Sequence, residues 1–227
     1  MPRSRIFAAV YDPLTAGAEK ASYPEHRTFV AGGARGRVLE VGAGTGANLR
    51  YYRFAKASGV PHPNPLPAGE GNENAGEGVT ELTLTDLSPH MLKRLKAKAE
   101  KLGVKAAFHE TSAESLPFPD ASFDTVAGTL MMCSVKDPAK ALAEVRRVLV
   151  PGGEYRFIEH VRSSSRGWAA FQGAIKPIWT VIGDGCHPDR DTLRAITDAG
   201  FRLTDIRPFK VGPYPVRPHV AGVAQKP

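Results

Sequence analysis

Two patterns of apolar and polar positions alternate along the chain. Short stretches in which all residues or every second residue are apolar are followed by longer stretches in which apolar residues recur every three or four positions. The first pattern is typical of β-strands and the second of amphipathic helices. Strands and helices that alternate in this way favour a parallel sheet covered by helices on both faces.

Cap and turn residues bound several of these elements. Ser88 and Pro89 have the residue types of an N-cap and a first helical position, and Gly103 ends the helix that they begin. Asp137 begins a second such helix, which we expect the segment Pro151–Gly153 to close. The predicted strands, in chain order, are Arg37–Val41, Glu81–Thr85, Val104–His109, Phe123–Thr129, Glu154–Val161, Phe201–Arg207 and Val216–Gln225.

The last two predicted strands lie too close in sequence for a parallel crossover, so they should form an antiparallel hairpin. The predicted fold class is therefore α/β, a Rossmann-like seven-stranded sheet of five parallel strands and a C-terminal antiparallel hairpin, with helices on both faces. One segment, at about residues 55–78, is rich in proline and glycine and has few large apolar residues. We interpret it as a disordered insertion within a single domain spanning residues 1–227.

Composition narrows the choice of compartment and partner. Two cysteines, Cys133 and Cys186, make no disulfide framework and have no zinc-site spacing, so we expect a reducing, cytoplasmic location and no metal. No segment approaches the about 20 apolar residues that a membrane span needs. The 30 basic and 23 acidic residues give a net charge of +7, which leaves peripheral membrane contact open. We expect a monomer that acts on a small molecule and binds no nucleic acid.

A glycine-rich turn follows the first predicted strand, in the run Val38-Leu39-Glu40-Val41-Gly42-Ala43-Gly44-Thr45-Gly46. Glycines at these positions let the backbone turn sharply and let a ligand approach closely. The glycines alone also fit the dinucleotide-binding fingerprint, so a dehydrogenase stays an alternative. With Glu40 before it, the run resembles the first motif of class I S-adenosylmethionine (SAM) methyltransferases, in which this loop holds the methionine end of the cofactor.

Two further segments extend this resemblance. Asp86 ends the second strand, where an acid can accept hydrogen bonds from both ribose hydroxyls. The segment Ser112–Pro119 resembles the adenine-binding segment of UbiE-type (type 11) methyltransferases, with Ser112 where an acid is common. The predicted cofactor-binding residues are Glu40, Gly42, Gly44, Gly46, Asp86, Ser112, Ala113 and Thr129.

The second half of the chain is similar to the methyltransferase-like seven family, the alkyl thiol methyltransferases, and their bacterial relatives. The segments that carry this similarity are Cys133-Ser134-Val135, Glu159-His160-Val161, Trp168, Pro177-x-Trp179, Asp184-Gly185-Cys186, Arg190-Asp191 and Val216-Arg217-Pro218-His219. The resemblance implies methyl transfer from SAM to a small, lipophilic nucleophile such as a thiol. The animal members carry a hydrophobic N-terminal anchor that this sequence does not show, so membrane attachment is not carried over.

His160, at the end of the fifth predicted strand, is the predicted catalytic residue, a candidate general base. A thiol barely needs a base, because a few per cent of it is already thiolate at pH 7, so a structural role for His160 stays open. Cys186, His187 and His219 are weaker candidates. We expect the large apolar residues between 168 and 179, among them Trp168, to lie in the core or line a pocket.

Two other functions stay open beside thiol methylation. One is N-methylation of a phospholipid, phosphatidylethanolamine, which the positive charge would suit. The other is a non-catalytic SAM- or RNA-binding module.

Overall fold

The computed structural model describes residues 17, 22–55, 78–212 and 215–227. Seven strands lie in these parts of the chain: β1 (Gly36–Val41), β2 (Val79–Asp86), β3 (Ala107–Glu110), β4 (Phe123–Thr129), β5 (Leu149–His160), β6 (Arg202–Lys210) and β7 (Pro218–Gln225). The helices are α1 (Tyr23–Val30), α2 (Pro89–Leu102), α3 (Pro138–Val148), α4 (Arg166–Ile182) and α5 (Thr192–Asp198).

The strands form one sheet in the order β3-β2-β1-β4-β5-β7-β6. Neighbouring strands from β3 to β5 run parallel, whereas β7 is antiparallel to both β5 and β6. The predicted fold, five parallel strands followed by an antiparallel hairpin, is confirmed. Because β1, β2, β4 and β5 run in the same direction, the turns that follow them meet at one edge of the sheet.

Successive residues of β1 show why helices cover both faces. Val38 packs in a cluster with Leu95 of α2, whereas Leu39 packs in a cluster with Leu142 of α3. All four side chains are fully buried. Because side chains alternate across a strand, two consecutive apolar residues such as Val38 and Leu39 require a hydrophobic layer on each face of the sheet.

The helix caps follow the prediction, but the boundary between α3 and β5 does not. Ser88 Oγ accepts from the Met91 backbone N–H, and Asp137 Oδ1 accepts from that of Lys140. The segment Pro151–Gly153, expected to close a helix, lies inside β5 instead. The N–H of Gly152 donates to the carbonyl of Lys226, and the Lys226 N–H donates to the Gly153 carbonyl, both at 2.9 Å, so pairing with the C-terminal chain holds this segment in the sheet.

Helix α4 was not predicted, and its apolar residues do not line the core as expected. Trp168 is 43%, Phe171 41% and Ile178 63% exposed, so none of the three lies in the core, although Trp168 lines a pocket with Ser165 and Gln172 as expected. The reason is Gln172, which is 1% exposed and faces inward. Its amide donates to two backbone carbonyls and accepts from the Ser163 N–H at 2.7 Å. A buried amide must keep these bonds, and this turns the apolar stripe of α4 outward. None of the described helices is long and apolar enough to cross a membrane.

The predicted insertion lies almost wholly outside the described residues, but its two ends are described. The N–H of Ala55 donates to the Val79 carbonyl at 3.0 Å, and the Val79 N–H donates to the Arg53 carbonyl at 2.8 Å. The chain therefore leaves and re-enters the sheet at neighbouring points. Closing such a gap with a short loop changes the free energy of folding little, because loop-closure entropy changes slowly with loop length.

We predict that deleting residues 58–76 leaves the melting temperature unchanged within error, measured by calorimetry. The bonds between Arg53, Ala55 and Val79 bring the cut ends together without the insertion. A control in which glycine and serine replace the same residues separates the effect of length from that of sequence. A loss of several degrees in both variants would show that the insertion packs on the domain.

Candidate active site

The glycine-rich turn after β1 is shaped by three residues with positive φ: Gly42 (+70°), Gly44 (+57°) and Gly46 (+80°). A Cβ atom at Gly46 would lie 2.7 Å from a Leu49 side-chain carbon, so that glycine is needed for packing. A Cβ atom at Gly44 would meet nothing within 4 Å. The turn therefore presents its open, backbone-lined side at Gly44, where a ligand can approach the main chain.

Glu40 lies beneath this turn and is 2% exposed. One carboxylate oxygen accepts from Asn48 Nδ2 at 2.8 Å and the other from the Tyr52 hydroxyl at 2.7 Å. Arg27 donates to the Asn48 amide oxygen at 2.5 Å, which links a positive charge to the network. Burial raises the pKa of the Glu40 carboxyl, while the bonds from Tyr52 and Asn48 oppose that shift. Glu40 thus has a protein hydrogen-bond partner on each carboxylate oxygen and supports the glycine-rich turn.

Asp86, the last residue of β2, joins the turn to the next helix. Its Oδ2 accepts from the Gly44 N–H at 2.9 Å, and its Oδ1 accepts from the Ser88 N–H at 2.8 Å. The residue is 3% exposed, and burial raises the pKa of its carboxyl. An ionised carboxylate has about four acceptor positions, so these two bonds leave capacity for a ligand's hydroxyl groups.

The segment after β3 lies beside Asp86, because the Thr111 N–H donates to the Asp86 carbonyl at 3.2 Å. Ser112 Oγ accepts from the Glu114 N–H at 3.2 Å, and Ala113 is buried. At the end of β4, Thr129 Oγ1 accepts from Asn48 Nδ2 at 3.0 Å. The structure thus brings the predicted cofactor residues to the carboxyl ends of β1, β2, β3 and β4.

A second polar group lies at the ends of β4 and β5, around Glu159. This residue is fully buried, and its carboxylate accepts from the backbone N–H groups of Met131 and Met132 at 2.8 Å and of Cys133 at 3.3 Å. Burial is the main reason that the pKa of the Glu159 carboxyl is raised to about 8. Arg190 donates to carbonyls of the same turn, those of Met132 and, at 2.6 Å, Val135. Glu159 therefore holds the turn after β4, and three of its about four acceptor positions are taken by backbone N–H groups.

His160 lies beside two sulfur atoms. Its Nε2 shares a hydrogen bond with Cys186 Sγ at 2.9 Å, and the same sulfur accepts from Trp179 Nε1 at 3.1 Å. The ligand atoms of Cys133, His160 and Cys186 all lie within 4.8 Å of one another. A hydrogen bond from Cys133 is the main cause of a lowered pKa at the Cys186 thiol. Cys186, which the sequence ranked as a weak candidate, is therefore part of the same group as His160.

His219 pairs with His160 across β5 and β7, with ring centroids 6.1 Å apart. Its Nε2 is hydrogen-bonded to the Tyr23 hydroxyl at 3.0 Å. Burial lowers the pKa of His219 to about 4, so the ring is neutral near pH 7. The third weak candidate, His187, bonds through Nδ1 to the Gly185 carbonyl at 2.8 Å, outside this group.

The two polar groups are adjacent. A Cβ atom at Gly42 would lie 2.8 Å from Met131 Cγ, so the turn held by Glu159 touches the glycine-rich turn. The edge of the sheet therefore has a half over β1 to β3 and a half over β4 and β5. Sequence reasoning missed Asn48, Tyr52 and the roles of Glu159 and Arg190. Glu159 and Arg190 had a signal, since both lie in segments that carry the family similarity, whereas Asn48 and Tyr52 had none.

Comparison with known proteins identifies the family of this chain. Residues 68–157 match the family model described as a methyltransferase domain. The human thiol S-methyltransferase TMT1B is 36% identical over 202 residues, which cover 86% of this chain and 73% of the human one. The chain belongs to the TMT1 methyltransferase family. It is a class I enzyme that uses SAM, and the dehydrogenase and non-catalytic alternatives are thereby set aside.

More distant relatives share the fold with other named activities. A phosphatidylethanolamine N-methyltransferase of Cereibacter sphaeroides is 29% identical over 192 residues, covering 83% of this chain and 82% of the relative. A SAM-dependent methyltransferase structure from Thermotoga maritima superposes with a TM-score of 0.64 at 19% identity, covering 98% of this chain and 97% of the other. Such a likeness at low identity supports the fold alone.

The residues of the TMT1-like site fit SAM. The open space at Gly44 suits the methionine end, which must lie against the main chain, and the spare acceptor positions of Asp86 suit a ribose. Both lie at the carboxyl ends of parallel strands, where α/β folds bind their ligands.

We predict that Gly44→Val abolishes SAM binding, because the side chain would fill the open space beside the turn. Gly103→Val is the matched control: Gly103 also has a positive φ (+66°) and open space around it, but it caps the far end of α2. The Gly103→Val variant therefore has a similar backbone strain, but at a position away from the site. Calorimetric titration with SAM measures both, and equal losses would refute a cofactor role for Gly44.

Asp86→Ala should weaken SAM binding by about 1.5–3 kcal/mol, the range for losing a hydrogen bond to a charged group. Asp86→Asn keeps an acceptor for the Gly44 N–H and should lose less. Asp198→Ala, which removes an exposed carboxylate paired with Arg194 on α5, controls for net charge. Wild-type affinity in Asp86→Ala, measured by the same titration, would exclude the ribose assignment.

Proposed function

We propose that this enzyme transfers the methyl group of SAM to the sulfur of a small, lipophilic thiol. The observation that carries the proposal is the make-up of the half-site over β4 and β5. It contains two thiols and an imidazole, and the buried Glu159 carboxyl beside them accepts from three backbone N–H groups. The identity to the TMT1 thiol S-methyltransferases over most of the chain supports the same acceptor class.

The chemistry of the acceptor explains why such a site suffices. Methyl transfer from a sulfonium is an in-line displacement, in which the protein mainly aligns donor and acceptor and excludes water. A hydroxyl acceptor would need a positioned base, worth about 10²–10⁴ in rate. A thiol arrives partly ionised and is a strong nucleophile. The His160 imidazole is bonded to Cys186 Sγ and that sulfur to Trp179 Nε1, with no carboxylate among these partners to activate a hydroxyl, which favours a thiol.

In this proposal each predicted site residue has a role. Gly42, Gly44 and Gly46 receive the methionine end of SAM, with Glu40 bracing their turn. Asp86 accepts from the ribose hydroxyls, and the segment that contains Ser112 and Ala113 contacts the adenine. Thr129 lies where the two half-sites meet, and His160 is the proposed catalytic residue at the acceptor sulfur.

A matched pair of acceptors tests the proposal: an arylthiol and the phenol with the same carbon skeleton. We predict that kcat/KM for the thiol exceeds that for the phenol by at least about 100-fold, the value of the base that the phenol would need. Production of S-adenosylhomocysteine measures both rates, and Gly44→Val provides the background. Equal rates for the pair, or methylation of an amine in preference to both, would contradict a thiol acceptor.

A second proposal, peripheral contact with an anionic lipid surface, rests on α4. Its apolar residues Trp168, Phe171, Ile178 and Ile182 recur at helical spacing and are 41–67% exposed. An apolar stripe on a protein of net charge +7 suits a membrane with anionic head groups. Such contact would give access to lipophilic acceptors, and it would also serve the alternative function, N-methylation of phosphatidylethanolamine.

We predict that the protein co-sediments with vesicles containing phosphatidylserine and that the double variant Ile178→Ser/Ile182→Ser loses most of this binding. Lys93→Ser, which removes an exposed positive charge from α2, should lose much less. Vesicles of phosphatidylethanolamine in the methyl-transfer assay test the lipid as an acceptor. Binding unaffected by the α4 variant would refute the proposed surface.

We further propose that the enzyme is a cytoplasmic monomer. Its two cysteines are free, which agrees with a reducing compartment. Light scattering of the purified protein and fractionation of the source cells test the two statements separately.

A further inference from the structure

Three separate segments bring metal-ligand side chains together at the end of β5. Cys133 lies in the turn after β4, His160 is the last residue of β5, and Cys186 lies in the loop after α4. Their ligand atoms are all within 4.8 Å of one another. Because the residues are 27 and 26 positions apart (160 minus 133, 186 minus 160), no zinc-like spacing appears in the sequence.

The ligand types point to zinc. Thiolate sulfur and imidazole nitrogen are its usual ligands, whereas Mg²⁺ and Ca²⁺ prefer oxygen. Two thiolates and a neutral imidazole would balance the charge of Zn²⁺, which matters because Cys133 is 2% and His160 3% exposed. A neutral complex avoids leaving an unpaired charge in a buried place.

The distances suit a tetrahedral ion after a small movement. Zinc–sulfur bonds of about 2.3 Å and zinc–nitrogen bonds of about 2.0–2.1 Å put neighbouring ligand atoms about 3.5–3.8 Å apart. The separation of His160 Nε2 and Cys186 Sγ, 2.9 Å, would have to open by roughly 0.6 Å. Rotation of the Cys186 side chain, which lies in a partly exposed loop, can supply this change.

The surroundings of the three residues hold them for a ligand role. The Glu159 carboxylate accepts from the Cys133 N–H, and Arg190 donates to the carbonyls of the same turn. Trp179 Nε1 donates to Cys186 Sγ at 3.1 Å, a bond that a zinc-bound thiolate can keep. Such outer partners fix the orientation of metal ligands.

Within the described residues, no fourth ligand joins the group. Glu159 is occupied by backbone N–H groups, and His219 is bonded to Tyr23. Three protein ligands with an open fourth position are the arrangement of catalytic zinc sites, in contrast to the four ligands of structural ones.

We propose that Cys133, His160 and Cys186 bind Zn²⁺ and that its open position takes the sulfur of the acceptor. The second part rests on the proposed thiol methylation. When R–SH binds the ion, its proton leaves to water and R–S⁻ stays on the metal. The sulfur then attacks the methyl group of SAM: the S–CH₃ bond of SAM breaks, R–S–CH₃ forms, and S-adenosylhomocysteine and the neutral thioether depart. His160 is then a ligand, and no general base is needed.

The first test is the zinc content of the untagged full-length chain, measured by inductively coupled plasma mass spectrometry. We expect about one zinc per chain, falling to about a tenth or less in Cys186→Ser and in His160→Gln. His187→Gln is the matched control, because this histidine adjoins Cys186 in sequence but lies outside the group. Retained SAM affinity in each variant shows that it is folded.

The wild-type protein provides a test that needs no variant. With zinc bound, both thiols should react slowly with a thiol reagent, and a chelator should expose both together with release of the metal. Addition of Co²⁺ to the chelated protein should produce thiolate-to-cobalt charge-transfer absorption. Background metal content, with the two cysteines recovered as free thiols or as a disulfide, would overturn the metal site.

The acceptor role is tested on the same chelated protein. Removal of zinc should lower the rate of thiol methylation by about 10-fold or more, because only a few per cent of the free thiol is ionised near pH 7, and added Zn²⁺ should restore the rate. An unchanged rate after removal would overturn the acceptor role. A zinc-loaded protein that methylates no thiol would instead refute the proposed function and leave the metal site standing.

Discussion

Hydrogen bonds from backbone N–H groups to buried carboxyl groups hold the site together. Asp86 fixes the glycine-rich turn through Gly44, and Glu159 fixes the turn after β4 through three consecutive N–H groups. A carboxylate removed from water is costly unless hydrogen bonds replace its hydration, and a turn with unpaired N–H groups is costly too. The carboxylate and the N–H groups of the turn thus satisfy each other's need for hydrogen-bond partners. Moving either turn would leave a buried carboxyl group and its N–H donors without hydrogen-bond partners.

The same principle separates the two halves of the site. Over β1 to β3, the carboxylate of Asp86 keeps acceptor capacity beside an open stretch of main chain, which suits a cofactor with hydroxyl groups. Over β4 and β5, the carboxylate is consumed by the backbone, and sulfur and imidazole are the groups left over. The contact between Gly42 and Met131 places these halves side by side.

Helix α4 shows how one polar residue can change the use of an apolar pattern. Trp168, Phe171 and Ile178 have the spacing of a core-facing stripe, yet the inward position is taken by Gln172. Its amide bonds the carbonyls of Val161 and Pro215, which no apolar residue could do. The apolar stripe is left exposed on the outside of the protein.

The sequence by itself determined the fold class and the positions of the glycine-rich turn and Asp86 at the ends of β1 and β2. Period-two and helical patterns, with the caps at Ser88 and Asp137, are local signals, and the glycine-rich turn and Asp86 each follow directly after a strand. The tertiary structure alone decided the partners of those residues. Asn48 and Tyr52 meet Glu40, and Cys186 meets His160, through chain crossings that leave no periodic trace in the sequence. Spacing reports neighbours along one element, whereas side chains from different elements become neighbours only when the parallel sheet brings its carboxyl ends to one edge.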